Sequence, residues 1–251
     1  MLTLFSERVP ARSAVILRVV IGLVSVFRGI EEWRVMSRVF YPGVVRFPMF
    51  EFLPVIGRRE ALGLLVVWLL SAFAFTIGAQ VRISGLLLAA SMGATLFIDQ
   101  QLYFSHLYLL TLIVLLIALA GPENRSESVL YWPILLLKLQ LSIVYLFAAL
   151  SKLNSQYLSG FMLAANFRKS LMFPPRVLSA FAAASILVEV FLAFALWSMR
   201  LRKAAVIIGI ALHAGMVFLL APPVMAQLAL FAVECLALYP LFFIPKYAPG
   251  K

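Results

Sequence analysis

Charge is scarce in this sequence, and cysteine is almost absent. Asp and Glu together number 10 against 21 Lys and Arg; charged residues make up 12% of the chain and hydrophobic ones 64%. Soluble domains carry about a quarter charged and about half apolar residues, so a water-soluble globular protein is excluded. The single cysteine, Cys235, lies inside a late apolar run, so no disulfide can form within the chain and no metal site follows. Repeats of fixed period and low-complexity linkers are also missing, and the chain reads as a single domain over 1–251 with no soluble domain.

The formal net charge of +11 comes from basic residues spread thinly between apolar runs. A nucleic-acid binder gathers such residues on a soluble face, which this chain lacks. The charges instead read as loop residues that orient helices and meet anionic lipid. The lipid bilayer is therefore the expected partner, and nucleic acid is not.

What the sequence does have is apolar length. Crossing a bilayer takes roughly 20 predominantly apolar residues. About eight such runs are present, at 14–30, 60–79, 83–98, 105–120, 129–153, 177–199, 204–220 and 224–244. The expected fold class is all-α, a polytopic transmembrane helix bundle of about eight spans. Two longer stretches, 31–59 and 154–176, carry Arg, aromatic and Pro residues, including Tyr41-Pro42-Gly43, Phe47-Pro48, Leu53-Pro54 and Pro174-Pro175. They read as interfacial or re-entrant segments, because aromatic rings favour the headgroup level. The first run holds Arg18 and Arg28 and has no small-residue cleavage site, which marks a retained helix and not a removed signal peptide.

Basic residues in short loops set orientation. With the N-terminus cytoplasmic, that side receives Arg8, Arg12, Arg82, Arg125, Arg200, Arg202, Lys203, Lys246 and Lys251. On the other side the two long segments carry Arg34, Arg38, Arg46, Arg58, Arg59, Arg168, Lys169 and Arg176, which nearly balances the raw count, but the short loops after the third and seventh runs hold no Lys or Arg. Both termini are thus expected in the cytoplasm of a multi-pass protein of the inner (plasma) membrane.

Ionisable groups inside a span are costly and usually face the bundle interior. The fifth run concentrates them: Lys138, Tyr145 and Lys152 are one heptad step apart on one helix face, with Gln140 and Ser142 nearby. Interhelical hydrogen bonding and snorkelling of a lysine near a helix end are the plain reading of such a face; a site is the other. His106 opens the fourth run, His213 lies within the seventh, and Glu189 and Glu234 sit in the sixth and eighth. Glu189 calls for a basic partner, with Lys138 and Arg18 as candidates. Alternating spans bring His106 and Lys152 near the same membrane face, where an imidazole and an amine in low dielectric suit a general base.

At these positions the chain resembles the HTTM (horizontally transferred transmembrane) domain family, which shares the membrane domain of vitamin K-dependent γ-carboxylase. The likeness runs through Leu17-Arg18-Val19-Val20-Ile21-Gly22-Leu23, Phe104-Ser105-His106-Leu107-Tyr108-Leu109-Leu110, and Leu212-His213-Ala214-Gly215-Met216. It is fullest from Gln140 to Gly160, QLSIVYLFAALSKLNSQYLSG, which is similar to the family's Gln…Tyr-x-x-Ala-Gly-x-x-Lys-Leu…Trp-x-x-Gly signature. Ala149 stands where the signature has Gly, and Tyr157 where it has Trp.

The resemblance implies a membrane enzyme with Lys152 as the base that deprotonates a reduced quinone of the vitamin K kind, and His106 as its aid. It implies Gln140, Tyr145, Tyr108 and His213 as substrate-binding groups. The chain ends just after the eighth run, so no counterpart of the carboxylase's large lumenal portion is expected, nor carboxylation of protein glutamates by this chain alone. The alternative is a non-catalytic membrane partner in the maturation or export of a small secreted peptide, acting beside a partner membrane protein. A transporter ranks below both, because the runs lack paired, Gly/Pro-broken half-helices.

Overall fold

A computed structural model describes residues 6–40, 44–52, 56–122 and 128–244. Tyr41-Pro42-Gly43, Leu53-Pro54, Arg125, Lys246 and Lys251 lie outside the described residues. Among the described residues ten α-helices follow in chain order: α1 (Arg12–Val39), α2 (Arg58–Ile77), α3 (Val81–Ile98), α4 (Ser105–Ala120), α5 (Tyr131–Ser151), the short α6 (Ser155–Leu158) and α7 (Phe161–Asn166), then α8 (Pro175–Ala195), α9 (Arg202–Leu219) and α10 (Pro222–Leu238). A 3₁₀ turn at Tyr239–Phe243 extends the last of these. The all-α expectation holds. Six of the helices, α1, α2, α3, α5, α8 and α9, are long and apolar enough to cross a membrane; α4 and the 227–243 stretch are shorter apolar helices.

Two differences from the sequence reading concern the first half. The first helix does not stop at residue 30 but continues to Val39. Residues 31–39 hold no Gly or Pro, and Arg28 pairs with Glu31 one turn on at 2.9 Å, the kind of pair that carries a helix into polar sequence. The second difference is a small antiparallel ladder, β1 (Arg8–Pro10) with β2 (Ser128–Leu130), in register Val9 to Val129. A ladder of this length leaves no periodic signal in the sequence.

The chain divides into two compact units, 1–136 with 244–251, and 137–243. In the first, α1 packs on α2, α2 on α3, α3 on α4 and α4 back on α1, closing a four-helix ring. Its helices are apolar all round: Trp68, Ala72 and Phe75 of α2 are buried while Leu70 and Phe73 of the same helix are exposed. Such a helix belongs in lipid or in a large core. Short connections alternate the helix directions. One end gathers β1, β2, Gly121 and the Arg82 side chain beside it. The other end holds Asp99, which organises the connection between α1 and α2. Asp99 accepts from Arg46 at 2.8 Å, from the Phe47 backbone N–H at 3.0 Å and from Gln101 N–H at 2.9 Å. Inside the ring, Arg18 is fully buried and donates to the carbonyls of Phe75 and Thr76.

In the second unit α8 packs on α9 and α9 on α10, and the short α6 and α7 lie on α8. The 154–176 stretch is tied to the turn after α9 by Arg168, whose backbone N–H donates to Leu219 O at 2.9 Å, and by a bridge between Phe167 and Leu220.

Candidate functional site

The second unit places most of the polar groups singled out in the sequence. Helix α5 ends at Ser151, and Lys152 is the first residue past it. The break is locally satisfied. Asn154 donates its side-chain amide to Ser151 O at 2.9 Å and caps α6 by accepting from Tyr157 N–H at 2.9 Å. Lys152 N–H and Leu153 N–H close back onto the carbonyls of Ala149 and Leu150. The Ser-Lys-Leu-Asn-Ser sequence thus ends one helix and starts another with few orphan backbone groups, which a helix interrupted within an apolar environment requires.

From Lys152 onward the chain descends along α8. Lys152 meets Glu189, the Tyr157 hydroxyl bonds the Ser185 hydroxyl at 2.9 Å, and Gly160 lies against Leu178. At 1.5 Å rise per residue, Glu189 to Leu178 is about 16 Å of helix. The short-helix segment therefore runs beside the length of α8 and not beyond its end. Gly160 makes the closest approach. Its φ is +81°, and a Cβ there would meet the Leu178 Cβ at 2.5 Å and its carbonyl carbon at 2.8 Å, so only glycine fits both the left-handed turn and the gap.

Lys152 Nζ donates to Glu189 Oε1, with the Tyr157 ring centroid 5.5 Å from the ammonium. The two side chains are 21% and 5% exposed, so the carboxylate is the more deeply placed partner. Its second oxygen, Oε2, is buried and has no hydrogen-bond partner among the described residues. Neither partner suggested by the sequence is the one found: Glu189 pairs with Lys152 and not with Lys138 or Arg18. Lys138 is buried on α5, its Nζ 5.8 Å from the Phe242 ring centroid, and Arg18 is engaged by the carbonyls at the end of α2.

A second polar cluster lies in the same unit. Tyr145 of α5, buried, shares its hydroxyl between His213 Nε2 at 2.9 Å and the Tyr239 hydroxyl at 2.6 Å. His213 is 1% exposed, and its Nδ1 has no hydrogen-bond partner among the described residues. The two clusters are joined through α5, with Tyr145 lying two turns before Lys152. Gly209, one turn before His213, gives Tyr239 its place: a Cβ at 209 would strike the Tyr239 hydroxyl. Ala205, Gly209 and His213 are the buried face of α9. Further along α5, Ser142 accepts from Trp197 Nε1 at 2.8 Å.

Of the residues expected at a site, Lys152, Tyr145 and His213 are thus brought into one neighbourhood, with Gln140 half-buried on the same helix as Tyr145. His106 and Tyr108 belong to the first unit. His106 is half-buried at the start of α4 and within the reach of the Arg28 charge, and Tyr108 is 46% exposed. Sequence reasoning missed Glu189 as the partner of Lys152, and missed Tyr239, Tyr157 and Ser185. For Tyr239 a signal existed in the Gly209–His213 spacing, a small residue one turn from a buried histidine, which invites a large side chain from another segment.

Beside the Lys152 cation, the buried Glu189 Oε2 has capacity to accept from a hydroxyl or N–H donor, and His213 Nδ1 can donate or accept according to its tautomer.

No curated protein and no solved structure matches the chain. A family model, HTTM domain, matches residues 7–247, from before β1 to beyond the last 3₁₀ turn. With its apolar helices, this makes the chain a multi-pass integral membrane protein, and it belongs to the HTTM domain family.

Proposed function

We propose that this protein is a membrane enzyme that takes a proton from a quinol or another lipid-soluble acidic hydroxyl at the Lys152–Glu189 pair. The observation that carries the reading is the pair itself: an ammonium and a carboxylate held at a helix break, the carboxylate with a buried oxygen that no group of the described residues satisfies. Unsatisfied buried acceptors cost about 1–3 kcal/mol, more when charged, and persist where function requires them. A reduced quinone supplies the acidic hydroxyl. Glu189 and His213 would hold its polar end, Tyr145 and Tyr239 orient His213, and exposed Phe147, Leu150 and Leu153 flank the break on the lipid side. The resemblance assigns the base to Lys152 and adds His106, Gln140 and Tyr108.

The same reading takes the chain as a single HTTM-like domain over 1–251, since the family match runs through both compact units. It takes the helix count as about eight spans, with 154–176 re-entrant and both termini in the cytoplasm of a cell with this protein in its plasma membrane. Support comes from α4 and the 227–243 helix, which are apolar though short, and from the basic residues of the short loops.

The test combines Lys152→Met with Glu189→Gln, so that no charge is left unpaired in the apolar interior. Insertion and abundance should be retained, and the quinone recovered with the wild-type protein by native mass spectrometry should be lost. Equal recovery of a quinone from both proteins, or none from the wild type, sinks the proposal.

A further inference from the structure

We infer that Glu189, through Oε2, is the proton acceptor of the pair, and that Lys152 is the cation that stays beside the oxyanion formed. The inference rests on the reading that this site takes an acidic lipid-soluble hydroxyl, and it reassigns the base within it. An amine accepts a proton only through its lone pair. Lys152 Nζ donates its hydrogen bond to Glu189 Oε1. Nitrogen is the donor of that contact, and an ammonium has no lone pair to offer. Oε1 is occupied by Lys152. Oε2 is the group that has capacity: it is buried, on a side chain 5% exposed, and no donor reaches it among the described residues.

The proton count is simple. The O–H bond of the ligand hydroxyl breaks and an O–H bond forms on Oε2. Negative charge passes from the carboxylate to the ligand oxygen, and the ammonium is unchanged. The site holds one positive and one negative charge before and after, so no net charge is created in low dielectric. Deprotonation by a neutral Lys152 would first require its proton to leave the pair.

The test uses full-length protein in lipid nanodiscs with 4-nitrophenol, in buffer acidic enough that the free probe is neutral. The anion has its own absorption band, and equilibrium dialysis reports binding separately. Wild type should bind the probe and show the band. Glu189→Gln should bind it and lose the band. Lys152→Arg, which keeps the charge but has no usable lone pair, should show the band at reduced amplitude. A band that survives in Glu189→Gln and vanishes in Lys152→Arg makes Lys152 the acceptor and overturns the inference, while the proposed site stands. Absence of probe binding by wild type removes the proposed site and the inference with it. Infrared spectra of wild type labelled with ¹³C-glutamate need no variant: probe binding should replace a carboxylate stretch by a carboxylic-acid carbonyl, and an unchanged carboxylate stretch in the presence of bound anion overturns the assignment.

Discussion

The Tyr239 hydroxyl lies 2.6 Å from the Tyr145 hydroxyl, in a space that exists because residue 209 has no side chain. Tyr145 is in turn the partner of His213 Nε2, so a glycine on one helix fixes the orientation of an imidazole through two phenols. Chains of this kind polarise one another, and their members are not independent.

Gly209→Ala is predicted to push Tyr239 out of this chain. Overpacking a close contact costs typically about 1–3 kcal/mol, and thermal unfolding in detergent should report a loss of that size. Tyr239→Phe removes the nearest atom that the new Cβ strikes and relieves part of the overlap, the ring carbons Cζ and Cε2 remaining at 2.7 and 2.9 Å. The double variant should therefore be more stable than the sum of the single losses allows. Strict additivity would mean that the two residues do not share this contact.

Asp99 is predicted to hold the connection between α1 and α2 in place. Its carboxylate is fully buried, which by itself raises proton affinity, but the Arg46 hydrogen bond, the Gln101 and Phe47 backbone donors and the Arg46 charge outweigh burial and lower the pKa. A pKa lower in the folded state than in the unfolded one adds stability that is present above the unfolded value, about 3.9, and is lost as pH falls through the folded one. Wild type should lose stability in that acid range, and Asp99→Asn should be less stable at neutral pH while losing this part of the acid sensitivity. Proteolysis within 44–52 is a direct readout of the freed connection. Equal cleavage rates in the two proteins at neutral pH would show that Asp99 does not organise it.

The helical architecture was readable because long apolar runs have few alternatives: each of the eight runs named from sequence overlaps a helix, and six of those helices are long and apolar enough to cross a membrane among the described residues. Boundaries were less so. The end of α4 at Gly121 was marked by a left-handed glycine before proline, but the end of α1 carried no such marker and the helix ran on through Arg and Glu. At the site, the polar face of α5 was visible as a heptad, since that depends on one helix alone. The partner of Lys152 was not. Which glutamate meets it depends on where α5 stops and on the register of α8 against it, and both are fixed by packing between segments distant in sequence. The Tyr145–Tyr239 bond was hidden for the same reason.

Gly160 is predicted to be the residue that keeps the 154–176 stretch against α8. Alanine there meets two penalties, the left-handed backbone at about 1–2 kcal/mol and the collision with Leu178. Gly160→Ala should lower thermal stability by about 2–5 kcal/mol, summing the two. It should also expose the Tyr157–Ser185 contact, so that Ser185→Ala costs less in the variant than in wild type. A Gly160→Ala protein with unchanged stability would show that the turn relaxes without moving from α8.

Lys152 and Glu189 should behave thermodynamically as one unit. Removing one member of a buried ion pair costs about 3–5 kcal/mol, because an uncompensated charge remains, whereas replacing both often costs little. Lys152 is partly exposed and Glu189 almost fully buried, so the two single losses should differ. Lys152→Met strands the deep carboxylate and should be the worse. Glu189→Gln leaves a lysine that can extend toward the surface and should be the milder. The double variant should return most of the stability lost in Lys152→Met. Unfolding of all four proteins in the same detergent gives the coupling energy directly, and repeating it in acid adds a sign test. Protonating Glu189 removes the stranded charge, so the Lys152→Met defect should shrink as pH falls. A defect that stays constant across that range would show that the cost of Lys152→Met comes from lost packing at the helix break and not from the charge left behind.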